Sequence, residues 1–120
     1  MATFINLTNH PSEGWSVAQK DAAKALVNGG VIIDLAFPQV DPSGDEGYIA
    51  NLAEDYLGTI LRTKDATCVH VMGEMNFTVA LVAKLKANGI KAVASTTVRD
   101  VVMNGKDKVV KFNFVRFREY

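Results

Sequence analysis

His10, Glu74 and Arg99 are the side chains here best suited to moving a proton or meeting a phosphate, and each follows a point where an apolar run turns polar. Run 4–7 leads into Thr8, Asn9 and His10; run 68–72 into Gly73 and Glu74; run 91–94 into Ser95, Thr96 and Thr97, with Arg99 two residues further on. An imidazole at such a position acts as a general acid or base near neutral pH, or donates to a phosphate. The hydroxyls of 95–97 are further donors, and a guanidinium grips phosphate in a bidentate fork. Gly73 permits close backbone approach, and a helix starting just after it, with Asn76 and Thr78 in its first turn, would offer free amides to an anion. Glu74 itself repels an anion. It suits a ribose hydroxyl, a base amino group or proton abstraction, and its structural alternative is to cap that helix.

Other reactive types read more simply. His70 lies between Val69 and Val71 inside an apolar run, where a packed or paired interior histidine is expected, and Cys68 in the same run reads as a small core residue. Asp41 and Pro42 suit a turn. Lys111, Arg116 and Arg118 read as solvated charges, unless a symmetric dimer brings them to a shared ligand. Two isolated histidines without HxxxH or CxxC spacing make no metal motif, and no metal or cofactor is expected. The phosphate-loop, GxGxxG and GxSxG patterns are absent, which disfavours P-loop hydrolysis, standard dinucleotide binding and α/β-hydrolase chemistry.

These positions converge only if the elements carrying them are neighbouring parallel strands. Residues 4–7 form a short first strand. Ser16 with Gln19 has the capping-box pattern and opens a helix running to Leu26 and Val27, stopped by Gly29 and Gly30. Residues 31–37, apolar except for Asp34, read as a strand covered on both faces and ended by Pro38. Ser43 and Glu46 suggest a second capping box, before an apolar stripe from Ile49 to Leu61 at spacings of three and four. A third strand, 68–72, precedes a helix with Asn76 as its N-cap, and Asn88 and Gly89 end it before a fourth strand, 90–94. The alternation predicts a mostly parallel sheet with helices on both faces, a Rossmann-like three-layer sandwich. Residues 101–103 and 109–117 read as a C-terminal β-hairpin around a polar loop, 104–107. Val110, Phe112 and Phe114 alternate in one phase and Val115 and Phe117 in the other, so a bulge or bend is expected near Val115.

At 120 residues and 48% hydrophobic content, one domain spanning 1–120 with a real core is expected. Thirteen basic residues balance thirteen acidic ones, so the field needed to bind long nucleic acid non-specifically is lacking. The amino terminus has no charged segment followed by an apolar one, and no apolar run matches a bilayer, so a soluble, cytoplasmic protein without membrane contact is expected.

The segments FINLTNHPS, GEMNFTVALVAKLKANGIKAVASTTVRD and FNFVRFREY together resemble small CRISPR-associated proteins of the CARF-like, ring-nuclease-like group. The resemblance implies a Rossmann-like homodimer whose paired strand ends form a pocket for cyclic oligoadenylate, the second messenger of type III CRISPR antiviral defence. Some members of the group sense the ring, and others cleave it without metal. It also implies Asn9 and His10 in a first-strand motif, Gly73, Glu74 and Thr78 in a strand-to-helix motif, and Thr96, Thr97 and Arg99 in a TTxR motif. Two other readings stand beside it: a small enzyme of nucleotide or sugar-phosphate metabolism using the same edge, and a non-catalytic interaction subunit pairing through its terminal hairpin.

Overall fold

The computed structural model describes all residues, Met1–Tyr120. Along the chain come β1 (Thr3–Leu7), a 3-10 turn (Ser12–Gly14), α1 (Val17–Leu26), β2 (Val31–Asp34), α2 (Glu46–Arg62), β3 (Ala66–Val71), α3 (Met75–Ala87), β4 (Lys91–Asn104) and β5 (Asp107–Glu119). The five strands form one sheet in the order β2-β1-β3-β4-β5. The first four are parallel and β5 returns antiparallel to β4, so this is a mixed α/β fold with a mostly parallel sheet. No helix is long and apolar enough to cross a membrane.

Strand side chains alternate between the two faces of the sheet, and both faces are covered over β1, β3 and the start of β4. β2, expected to be covered on both faces, is an edge strand with Val31, Ile33 and Asp34 exposed. Ile5, Leu7, Val69 and Val71 pack with Leu57 and Ile60 of α2 and Phe77, Leu81 and Leu85 of α3. Phe4, Cys68, Val93 and Phe117 pack with Ala23 and Val27 from the α1 side. Two-sided burial is why these strands read as nearly unbroken apolar runs. Cys68 is buried, and desolvation pushes its thiol up to about 11, as an inert core cysteine requires.

Helix starts differ from the sequence expectation in two of three cases. Ser16 caps α1 as the pattern predicts, accepting from the Gln19 amide at 3.2 Å. At α2 the cap is Asp45, which accepts from the Tyr48 amide at 2.9 Å. Ser43 is instead held by Asp41, its amide and hydroxyl both donating to Oδ1, and these bonds lower the Asp41 pKa. At α3 the cap is Glu74 rather than Asn76, its carboxylate accepting from the Asn76 and Phe77 amides.

Strand lengths differ as well. β2 stops at Asp34 instead of running to Phe37: the Leu35 amide makes the last bond to β1, at the Asn6 carbonyl, and the Leu35 and Phe37 side chains pack over the α2–α3 core. β4 runs unbroken from Lys91 to Asn104, where a strand end after Ala94 was expected. The β-branched Thr96, Thr97 and Val98 continue the ladder with β5 after β3 has ended, so a long two-stranded arm projects from the sheet. The arm turns through Gly105 and Lys106, with Gly105 at φ +67°, the positive value a two-residue hairpin demands of its first central residue. The expected bulge is present: Thr96 pairs with Arg116 and Thr97 with Phe114, leaving Val115 unopposed.

Candidate functional site

A cavity of about 820 Å³ opens at the C-terminal edge of β1, β3 and β4, on the α1 side of the sheet. Thr8, Asn9 and His10 border it after β1, Met72 and Gly73 after β3, and Ser95 and Thr97 within β4. Trp15, Ser16 and Gln19 bring the start of α1 to its rim, and Phe112, Asn113 and Phe114 of β5 form the facing wall. This is the strand edge where open α/β sheets place ligands.

Beneath the cavity a polar row crosses the sheet. Asp34 of β2, Asn6 of β1 and His70 of β3 stand in register on adjacent parallel strands. Asn6 Nδ2 donates to Asp34 Oδ1 at 2.9 Å and to the His10 carbonyl at 2.8 Å, and Asn6 Oδ1 lies 3.1 Å from His70 Nδ1. Thr8 Oγ1 donates to Asn6 Oδ1 and accepts from the His10 amide, which fixes the turn carrying Asn9 and His10. Asp34 also accepts from the Ser12 amide and hydroxyl, so one carboxylate anchors the loop leading to α1. Asn6, Thr8 and His70 are buried and hold their geometry firmly when satisfied in this way, while Asp34 closes the row at the exposed sheet edge.

His70 is 3% exposed and still lines the cavity. Burial, with the nearby His10 adding to it, pushes its pKa down to about 4, so the ring is neutral at pH 7. Trp15 and Phe117 stand edge-on to it at 5.6 and 5.1 Å between ring centres, and Phe4 lies at 6.4 Å.

The expected site residues divide into two groups. Thr8, Asn9, His10, Gly73, Ser95 and Thr97 line the cavity. Ser95 turns its amide and hydroxyl to the Met72 thioether, each at 3.3 Å. Glu74 and Asn76 do not line it: the Glu74 carboxylate occupies the first amides of α3, so that helix end offers no free anion site. Thr78 is buried beside a separate groove of about 310 Å³ that also includes Lys86 and Tyr120. Thr96 points to the sheet face opposite Thr97, with its hydroxyl on the Arg116 carbonyl. Arg99 is exposed on the arm, cross-strand from Phe112 and beyond the cavity wall. Gly73 also makes room for packing, because a Cβ there would fall 2.2 Å from Phe37 Cζ.

Sequence reasoning misses Asn6, Trp15, Asp34 and the aromatic arm residues as parts of this site, whereas His70 is interior and paired, as expected, and also lines the cavity. The available signal was Asn6, Asp34 and His70 themselves, one polar residue inside each of three apolar strands.

No curated protein matches this chain. A family model, described as the Uncharacterized protein MJ1673 family, matches residues 2–118. A match over nearly the whole chain places the first strand, the cavity loops and the terminal arm inside the shared pattern, and the chain belongs to the Uncharacterized protein MJ1673 family.

Proposed function

We propose that this protein is a CRISPR-associated, CARF-like homodimer that binds a cyclic oligoadenylate at the sheet edge and cleaves it without metal. The observation that carries the reading is the 820 Å³ cavity, whose lining combines hydroxyls, an imidazole, a helix start and aromatic rings. Those are the groups that hold sugar-phosphates and stacked bases. The resemblance of three chain segments to that group supports the same reading. The finer fold is then Rossmann-like and three-layered, with α1 on one face and α2 and α3 on the other.

Cleavage of such a ring proceeds by in-line attack of a ribose O2′ on the adjacent phosphorus. A P–O2′ bond forms as the P–O5′ bond breaks, the hydroxyl proton passes to solvent, and O5′ takes a proton. His10, exposed at the cavity rim, supplies that last proton, while Asn9 and Thr97 orient the sugar-phosphate. Arg99 reaches phosphate from the arm. One cavity holds part of a multi-nucleotide ring, so the reading needs two chains. Val101, Met103, Val110 and Phe112, exposed on one face of the arm, are the surface that a second copy covers.

Incubating purified protein and chelator with cyclic tri-, tetra- and hexaadenylate tests the reading, with bound and cleaved ligand resolved by chromatography. Linear products from one ring are expected. A ring retained intact overturns cleavage and leaves a sensor, and the absence of both retention and cleavage overturns the proposal. The exposed arm favours a second reading, a protein-interaction subunit, for which a stable heteromeric complex without nucleotide is the expected sign.

A further inference from the structure

His70 combines near-complete burial, a place in the cavity lining and a ring nitrogen, Nε2, without a hydrogen-bond partner. Its proton can be placed from its neighbours. Asn6 Nδ2 donates to the Asp34 carboxylate and to the His10 carbonyl, and neither of these acceptors can donate in return. The amide is therefore oriented with Oδ1 toward His70, and the neutral ring meets it by carrying its proton on Nδ1. Nε2 is left as a bare lone pair. An unsatisfied buried acceptor destabilises a fold, and a phenylalanine would fill the same space without that cost.

The surroundings indicate what the acceptor is for. Trp15, edge-on to the imidazole, also lines the cavity, and Phe112 and Phe114 face it from the arm. A flat heteroaromatic ring suits such walls. We propose that His70 Nε2 accepts a hydrogen bond from the exocyclic amine of an adenine-type base, which enters beside Trp15 and stacks against the aromatic walls. Trp15, only partly buried, turns aside to admit the base, because Nε2 is covered in the free protein. The inference rests on the nucleotide reading of the cavity and adds a specificity determinant. An amino-bearing base presents N–H to the lone pair, whereas the keto base hypoxanthine presents a carbonyl oxygen, acceptor against acceptor.

Trp15 is the single tryptophan of the chain and reports binding by its fluorescence. The protein is titrated with cyclic tetraadenylate, its inosine counterpart, AMP and IMP. The adenine member of each pair that binds is expected to bind at least roughly tenfold tighter, and His70→Phe should bring the ratio close to one. Nitrogen NMR of the wild-type imidazole gives a readout independent of the variant: the Nε2 resonance should move with the adenine ligand and stay with the inosine one. Equal affinities in the wild type, an unmoved Nε2, or an unchanged preference in a folded His70→Phe overturns the assignment while leaving ring binding in place. Adenine-selective binding of AMP with no binding of either ring overturns the ring reading and leaves the role of His70 standing. Binding of none of the four overturns both.

Discussion

Asn6 and His70 stand side by side in register on adjacent parallel strands, and the 3.1 Å contact between Asn6 Oδ1 and His70 Nδ1 fixes which ring nitrogen carries the proton. The same Asn6 amide reaches Asp34 on the other neighbouring strand, so three strands share one polar row beneath the cavity.

Stability should fall between neutral and acidic pH. The His70 pKa drops from 6.5 to about 4 on folding, so within that window the unfolded chain binds a proton the native state excludes. The native state keeps its full advantage above about pH 6.5, loses it as pH falls toward 4, and loses no more from this group below that, about 3 kcal/mol in all. Thermal unfolding at pH 7.5, 5.5 and 4 should show the decline in the wild type and a flatter profile in His70→Phe. Equal slopes in the two proteins would count against His70 as the source.

Asn6→Ala should be among the most destabilising single changes in the sheet. It leaves the His70 Nδ1 donor without a partner and removes the tie between Asp34 and β1, at about 2–4 kcal/mol. Asp34→Ala removes the other end of the same bond. Denaturant unfolding of both single variants and the double should reveal a coupling of about 1 kcal/mol or more, whereas additive losses would mean the row is not one network.

Glu74→Ala should weaken the fold and spare the ligand. Removing the α3 cap costs about 1 kcal/mol, visible as a lowered unfolding midpoint, while ring binding should match the wild type. His10→Ala and Thr97→Val should do the reverse, changing turnover or affinity with little change in midpoint. Lost binding in a folded Glu74→Ala would return that carboxylate to the site.

The arm made little of this legible in advance. Apolar runs between glycines and prolines located all five strands and all three helices, although two of the expected strands, 90–94 and 101–103, are one continuous β4. The bulge at Val115 was legible as well: a change of phase in a strand must be absorbed somewhere. The continuity of β4 was not, since Ser95–Thr97 and Arg99 have the polar character of a strand end and their pairing with β5 is a tertiary fact. Caps were ambiguous wherever two short polar residues competed, as Ser43 and Asp45 do. The cavity lies at the strand edge expected from the sequence, but the residues expected there come from both faces of the sheet. Spacing alone could not place Glu74 and Thr96 away from the cavity, nor bring in Trp15 from the α1 loop and Phe112 and Phe114 from the arm.

Gly73→Ala should cost about 1–3 kcal/mol through overpacking, since the new methyl meets the Phe37 ring. Phe37→Leu in the same chain should recover part of the loss. A Gly73→Ala protein that is fully stable yet fails to bind would instead favour close ligand approach at this glycine.

Phe112→Glu combined with Val110→Lys should convert a dimer to monomer in sedimentation experiments. Both positions lie exposed on one face of the arm, and charges buried between two copies would be desolvated. A wild type that sediments as a monomer at every concentration would remove the arm as a self-association surface.

Val115 acts as a parity switch. Because it has no opposite number on β4, every β5 residue from Phe114 toward the turn is displaced by one place relative to Phe117, and this keeps Phe112 and Phe114 on the α1 side. Regular pairing of the same chain would have sent both rings to the α3 side and turned Val115 toward the cavity. Loss of Val115 preserves the aromatic wall and regularises the ladder, whereas an extra residue on β4 directly opposite it would also regularise the ladder but turn Phe112 and Phe114 away from the cavity. Shortening β5 at this point therefore changes the twist of the arm and spares the cavity, whereas lengthening β4 opposite it exchanges the aromatic wall for the other face of the strand.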